Sequence, residues 1–149
     1  MNILLISYNF TPDNNGGVKR PLAFYRGLKE LGHNVSVITH GSSEVIMGND
    51  IIRLGPDLDS NFLIHKVRRA FRGLIRRFKL LFKIDTSYYD WWYKKLIKHS
   101  DNIIANTAPD LIIASYPPVE CLKIGLYLSK KYGVDLISDY RDPLIDESA

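Results

Sequence analysis

Apolar residues gather in five short blocks along the chain: "NILLI" near the start, "NVSVIT", "DIIRLG", "LIIAS" and "DLISDY". Between them they recur every three or four residues. Unbroken apolar runs of this length mark strands buried on both faces of a parallel sheet, and the wider spacing marks the helices that cover it. After "ILLIS" comes a polar loop, Ser7 to Pro21, and Pro21 suits the first turn of a helix because it has no N–H to lose there. Leu22, Tyr25, Leu28 and Leu31 form the apolar stripe of that helix, and Gly32 is its left-handed stop. "NVSVIT" then completes a strand–helix–strand unit, which implies a parallel pair with a right-handed crossover.

A third strand is expected at Asp50 to Gly55, helical stretches at about residues 62–83 and 89–105, and a strand at Leu111 to Ser115 stopped by two prolines. "VECLKIGLYLSKKYG" reads as a helix with a glycine stop, and "DLISDYRDP" as a last strand running into a polar turn. Strands alternating with helices give an α/β fold, a Rossmann-like doubly wound and mainly parallel sheet forming one domain over residues 1–149. The sequence ends at "DPLIDESA" without a closing helix, so the sheet is expected to continue in something larger.

Composition narrows the class. A chain of 149 residues, 46% hydrophobic and 24% charged, is globular and can build a core. Its one cysteine, Cys121, excludes an internal disulfide. No run of about 18 apolar residues is present, and the opening lacks the basic start and cleavage site of a signal peptide. A cytoplasmic location is the expectation. The four histidines show no metal-ligand spacing, and no metal is expected.

The loop "NNGGVKRP" follows the carboxyl end of the first strand, where α/β proteins bind ligands. Glycines there let backbone N–H groups approach a phosphate, and Lys19 and Arg20 add charge. The loop is neither G-x-G-x-x-G nor a P-loop. From spacing alone, an anion site and a plain tight turn both stay open.

Two longer blocks carry a resemblance. "ILLISYNFTPDNNGGVKRPLAFYRGLKELGHNVSVIT" and "APDLIIASYPPVECLKIGLYLSKKYGVDLISDYRDP" resemble the acceptor-side domain of retaining, family-four glycosyltransferases of the GT-B fold. Thr11 and Leu144 depart from that pattern, where proline and tryptophan are usual. The resemblance implies a sugar transfer from a nucleotide-sugar donor to a glycan or glycolipid acceptor, with no cofactor beyond the donor. It places Gly16, Gly17, Lys19 and Arg20 at the donor phosphates or acceptor. It lines the acceptor cleft with Ser115, Tyr116, Arg141 and Asp142, and gives Asp139 the role of orienting or deprotonating the acceptor hydroxyl. The competing reading makes Asp139 and Asp142 turn caps with Arg141 as partner, and Pro118 a helix start. The donor-gripping half of such enzymes, with its E-x7-E motif, is not in this sequence, so the polypeptide alone is not expected to transfer sugar.

The net charge of +4 is concentrated. Residues 60–83 hold eight cations and no acid, leaving 12 cations against 16 acids elsewhere. Arg69, Arg72, Arg76 and Lys79 recur opposite Phe71 and Phe78, the pattern of a basic amphipathic helix on an anionic membrane surface. The plain alternative is a solvated face on a packed helix. No nucleic-acid module accompanies the charge, and none is expected to bind. "SYYDWWYKK" downstream packs under the helices, lines the cleft, or meets lipid. A non-catalytic module that binds a membrane or partner subunit through this segment is the alternative function, and a phosphate-binding Rossmann protein of another class a third.

Overall fold

The computed structural model describes residues 1–12, 16–41, 46–47, 50–55 and 89–140. Its strands are β1 (Asn2–Ile6), β2 (Asn34–His40), β3 (Ile46–Met47), β4 (Ile51–Leu54), β5 (Leu111–Tyr116) and β6 (Asp135–Tyr140). The helices among the described residues are α1 (Lys19–Glu30), α2 (Asp90–Thr107) and α3 (Val119–Tyr132). One sheet joins the strands in the order β3-β4-β2-β1-β5-β6. All neighbours run parallel except the short β3, which lies antiparallel on β4. This is the doubly wound, mainly parallel α/β fold, Rossmann-like.

The central strand shows why its sequence is apolar without a break. Leu4 and Ile6 join the core under α2 and α3, whereas Ile3 and Leu5 join the core under α1. A strand buried on both faces cannot alternate with polar residues. Each such side chain contributes roughly 1.5–3 kcal/mol by leaving water. On the α1 face, Leu22, Phe24, Tyr25 and Leu28 cover Val35, Val37 and Ile113. On the other, Trp92, Leu96 and Ile103 of α2 meet Cys121, Ile124 and Leu128 of α3 over the sheet. An added Cβ at Gly125 would stand 2.8 Å from the Ala114 Cβ and 2.9 Å from a Leu136 methyl, so only glycine lets α3 lie this close.

Helix ends follow the expected chemistry with one correction. Gly32 and Gly133 take left-handed conformations (φ 82° and 70°) just after α1 and α3. Helix α1 starts at Lys19, and Pro21 is buried in its first turn, as expected. Leu31, expected on the apolar stripe, instead ends the helix and is 74% exposed, because Gly32 turns the chain away from the core. Among the described residues no helix is long and apolar enough to cross a membrane. The helical stretch expected at 62–83, with Arg69, Phe71, Arg72, Arg76, Phe78 and Lys79, lies outside the described residues.

From β1 the sheet grows through β2 and β4 to one side and through β5 and β6 to the other. The winding reverses between β1 and β5, and the crevice beyond their carboxyl ends is where open α/β sheets take ligands.

Candidate functional site

Three elements bring polar side chains to that crevice. Ser115 of β5 and Asp139 of β6 are directly paired in the ladder. Strand periodicity puts them on the same face as Ile113, the face covered by α1. Arg20, in the first turn of α1, reaches across to them. Its Nε donates to Asp139 Oδ2 at 3.0 Å, and its Nη2 donates to Oδ1. The Ser115 hydroxyl donates to the same Oδ2 at 2.9 Å. Asp139 is buried at 8% exposure while the Arg20 side chain is half exposed. Hydrogen bonding to Asp139, and then its charge, hold the Arg20 guanidinium further above its usual range. The ring of Phe24, one turn along α1, lies 5.5 Å beneath the guanidinium carbon.

The glycine loop leads directly into α1 and Arg20. Gly16 is exposed, and a Cβ there would meet nothing within 4 Å, so the space above the loop is open. Val18 gives α1 no side-chain cap, and its first turn holds no acid. Lys19 and Arg20 sit there instead, against the positive end of the helix dipole. Lys19 is exposed.

A second group lies at the same end of the sheet on the opposite face. The Tyr8 ring, just past β1, stacks on His40 with centroids 4.4 Å apart, and Tyr89 and Trp92 meet it edge-on at 4.7 and 5.3 Å. The Tyr8 carbonyl accepts from Thr39 Oγ1 at 2.9 Å and from the His40 N–H at 3.2 Å. His40 Nδ1 lies 3.0 Å from the same oxygen, and since a carbonyl only accepts, that contact assigns the proton to Nδ1. In the first turn of α3, Glu120 is 1% exposed and neither carboxylate oxygen has a hydrogen-bond partner. The Lys123 ammonium stands 3.9 Å from it. The indole N–H of the buried Trp92 is likewise without a partner. Burial pushes the neighbouring Cys121 thiol up to about 12, which makes it an inert core residue rather than a nucleophile.

Of the residues expected in the site, the structure joins Arg20, Ser115 and Asp139 directly, and Gly16 and Gly17 come just before Arg20 in the chain. Tyr116 follows Ser115 on the strand and so faces the other side, near Tyr140 at 6.2 Å between rings. Arg141 and Asp142, like Asn14 and Asn15, lie outside the described residues. Pro118 caps the start of α3, the simpler of the readings open to it. Trp92 packs in the core rather than facing ligand or lipid. Tyr8, His40 and Glu120 are the additions. The sequence signal for the first two was available, since both stand just at the ends of buried parallel strands.

Neither a scan against protein-family models nor a search of curated proteins found a match to this chain. The functional reading therefore rests on the geometry and on the motifs around it.

Proposed function

We propose that this chain is the acceptor-side domain of a retaining GT-B glycosyltransferase, holding sugar-phosphate ligands in the crevice between β1 and β5. One observation carries the reading: Arg20, Ser115 and Asp139 come from three separate elements and converge where the sheet reverses its winding. All three sit in the two sequence blocks that resemble such enzymes. The nucleotide-sugar is a substrate shared with a donor-side half, and the acceptor is a glycan or glycolipid on the cytoplasmic side of a membrane.

Titrating the isotopically labelled chain with UDP-glucose, with a prenyl-diphosphate-linked saccharide and with NAD tests this by NMR. The sugar-phosphate probes should shift Tyr8, Gly16 to Arg20, Ser115 and Asp139, with no sugar transfer by the chain alone. Shifts with NAD and with neither sugar-phosphate probe would replace the reading with a dinucleotide-binding one.

A second reading rests on the sequence of residues 60–83, whose eight cations have no compensating acid. At about 1 kcal/mol for each cation near an anionic leaflet, this segment would hold the domain at a membrane surface. Sedimentation with anionic but not neutral liposomes, lost when Arg69, Arg72, Arg76 and Lys79 become glutamine, is the expected result. Equal sedimentation with neutral liposomes would remove this reading.

A further inference from the structure

We infer that Arg20 is the residue of the crevice that grips a phosphate ester, and that Asp139 is a positioning residue acting through it. This deepens the sugar-phosphate reading above and rests on it. A guanidinium presents two forks: the edge formed by Nε and one Nη, and the end formed by the two Nη groups. Asp139 occupies the first, through Arg20 Nε and Nη2. The second fork, with Nη1 and the remaining Nη2 hydrogen, points away from the carboxylate on a side chain that is half exposed. Phosphate oxygens match that spacing and can take two parallel N–H bonds, the frequent geometry of arginine–phosphate pairs.

The carboxylate cannot wander. It is buried, its residue is fixed in the β5–β6 ladder, and Ser115 Oγ holds Oδ2 from the neighbouring strand. Phe24 supports one face of the guanidinium. Arg20 is thus held from an edge and a face while its end fork stays open. The same contacts argue against Asp139 as a proton acceptor. Both of its oxygens are already committed, Oδ1 to Arg20 Nη2 and Oδ2 to Arg20 Nε and the Ser115 hydroxyl. The acid expected to do chemistry holds the cation that binds instead.

Charge and geometry make opposite forecasts for one substitution, which makes the inference testable. Asp139→Asn adds a net positive charge to the crevice. If Asp139 merely neutralised Arg20, phosphate ligands would bind the variant more tightly. If it positions Arg20, they bind less tightly despite the added charge. The dissociation constants of UDP-glucose, farnesyl phosphate and inorganic phosphate would be measured for the native chain and for Arg20→Gln, Arg20→Lys, Asp139→Asn, Asp139→Glu and Ser115→Ala. Arg20→Gln and Arg20→Lys should each weaken the organic phosphates about tenfold or more, because lysine offers charge without a fork. Asp139→Asn should weaken them severalfold, Ser115→Ala less, and Asp139→Glu should recover part of the loss.

The Arg20 Nε–H resonance gives an independent readout. It should be protected from solvent exchange in the native chain, exposed in Asp139→Asn and protected again in Asp139→Glu. Tighter binding by Asp139→Asn, or unchanged binding by Arg20→Gln, overturns the inference. If Asp139→Asn does not fold, Ser115→Ala and the two arginine variants still decide it. Preference for UDP-glucose assigns the fork to a nucleotide diphosphate, and preference for farnesyl phosphate to a lipid-linked phosphate. Equal binding of all three, inorganic phosphate included, would mean a generic anion contact and would also overturn it. Crevice shifts that persist in Arg20→Gln would sink this inference alone, whereas no shifts with any sugar-phosphate would sink the broader reading.

Discussion

The two ends of the sheet handle their polar groups differently. At the amino end, contacts are complementary and tie down turns. The Asn2 N–H donates to the Asp110 carboxylate at 2.7 Å, and its side-chain amide donates to the Ala108 carbonyl at 3.1 Å. Asp50, just before β4, accepts from Lys29 in the last turn of α1 and from Tyr25 one turn earlier. Asp101 similarly accepts from Lys131 and Tyr132, locking α2 to α3. At the carboxyl end, Arg20 and Asp139 pair across 119 residues and leave a fork open, while the buried Glu120 carboxylate, 3.9 Å from the Lys123 ammonium, and the Trp92 indole N–H make no hydrogen bond. The carboxyl end also holds satisfied contacts, such as Thr39 Oγ1 to the Tyr8 carbonyl, but among the described residues it alone of the two carries buried polar groups in arrangements that stability does not favour.

If that contrast is real, removing a carboxyl-end polar group should strengthen the fold. Glu120→Leu keeps the volume and removes a buried carboxylate that makes no hydrogen bond, and burying such a group costs about 1–3 kcal/mol. We expect the variant to gain about that much in urea unfolding, with the slope unchanged. A loss of similar size would show Glu120 to be satisfied in solution, and the two ends to be alike.

The next effect belongs to the amino end. Ala108 closes α2 with φ 38°, a left-handed conformation that alanine adopts at a cost, and its N–H donates to Ile104 O. Ala108→Gly removes that cost while adding freedom to the unfolded chain. A net gain of about 0.5–1 kcal/mol is expected from the thermal midpoint. No gain would mean that the turn is held by its polar contacts, such as the Asn2 amide, rather than opposed by its backbone.

These cases show what the sequence made legible. "NILLI" announced a strand buried on both faces because burial on two sides leaves no polar position. Gly32 and Gly133 announced their helix ends because positive φ narrows the choice of residue. Asp139 stood out because it stands near the carboxyl end of the last strand, β6. Arg20 stood out too, for its place after the glycine loop, but its pairing with Asp139 did not, since nothing local links residues 119 positions apart; only the strand order brings them together. Glu120 looked like an ordinary acid in the first turn of a helix, favoured there by the dipole. That it is buried in the folded chain is a tertiary fact. His40 was passed over for lack of a metal partner, although the residue ending a central strand is placed by the sheet whatever its chemistry.

The smallest effect concerns pH, and it sharpens the amino end. Hydrogen bonding to Lys29 holds the Asp50 carboxyl below its ordinary 3.8, and hydrogen bonding to Asp50 holds Lys29 above 10.5. A carboxyl lowered by folding stabilises at pH above its unfolded value and loses that contribution as pH falls through its folded value. A lysine raised by folding stabilises below its unfolded value and loses it as pH rises through its folded one. The pair therefore contributes a plateau from about pH 4 to about pH 10 that declines on either side. Both side chains are about one-third exposed, so water and salt screen the contact and the change is modest. Thermal midpoints of the native chain and Asp50→Asn, compared from neutral to acid pH, should converge below the carboxyl range, and the gap on the plateau should shrink in 1 M salt. A gap that persists at acid pH would show that Asp50 holds the turn as a neutral acceptor, so that shape rather than charge complementarity distinguishes this end of the sheet from the other.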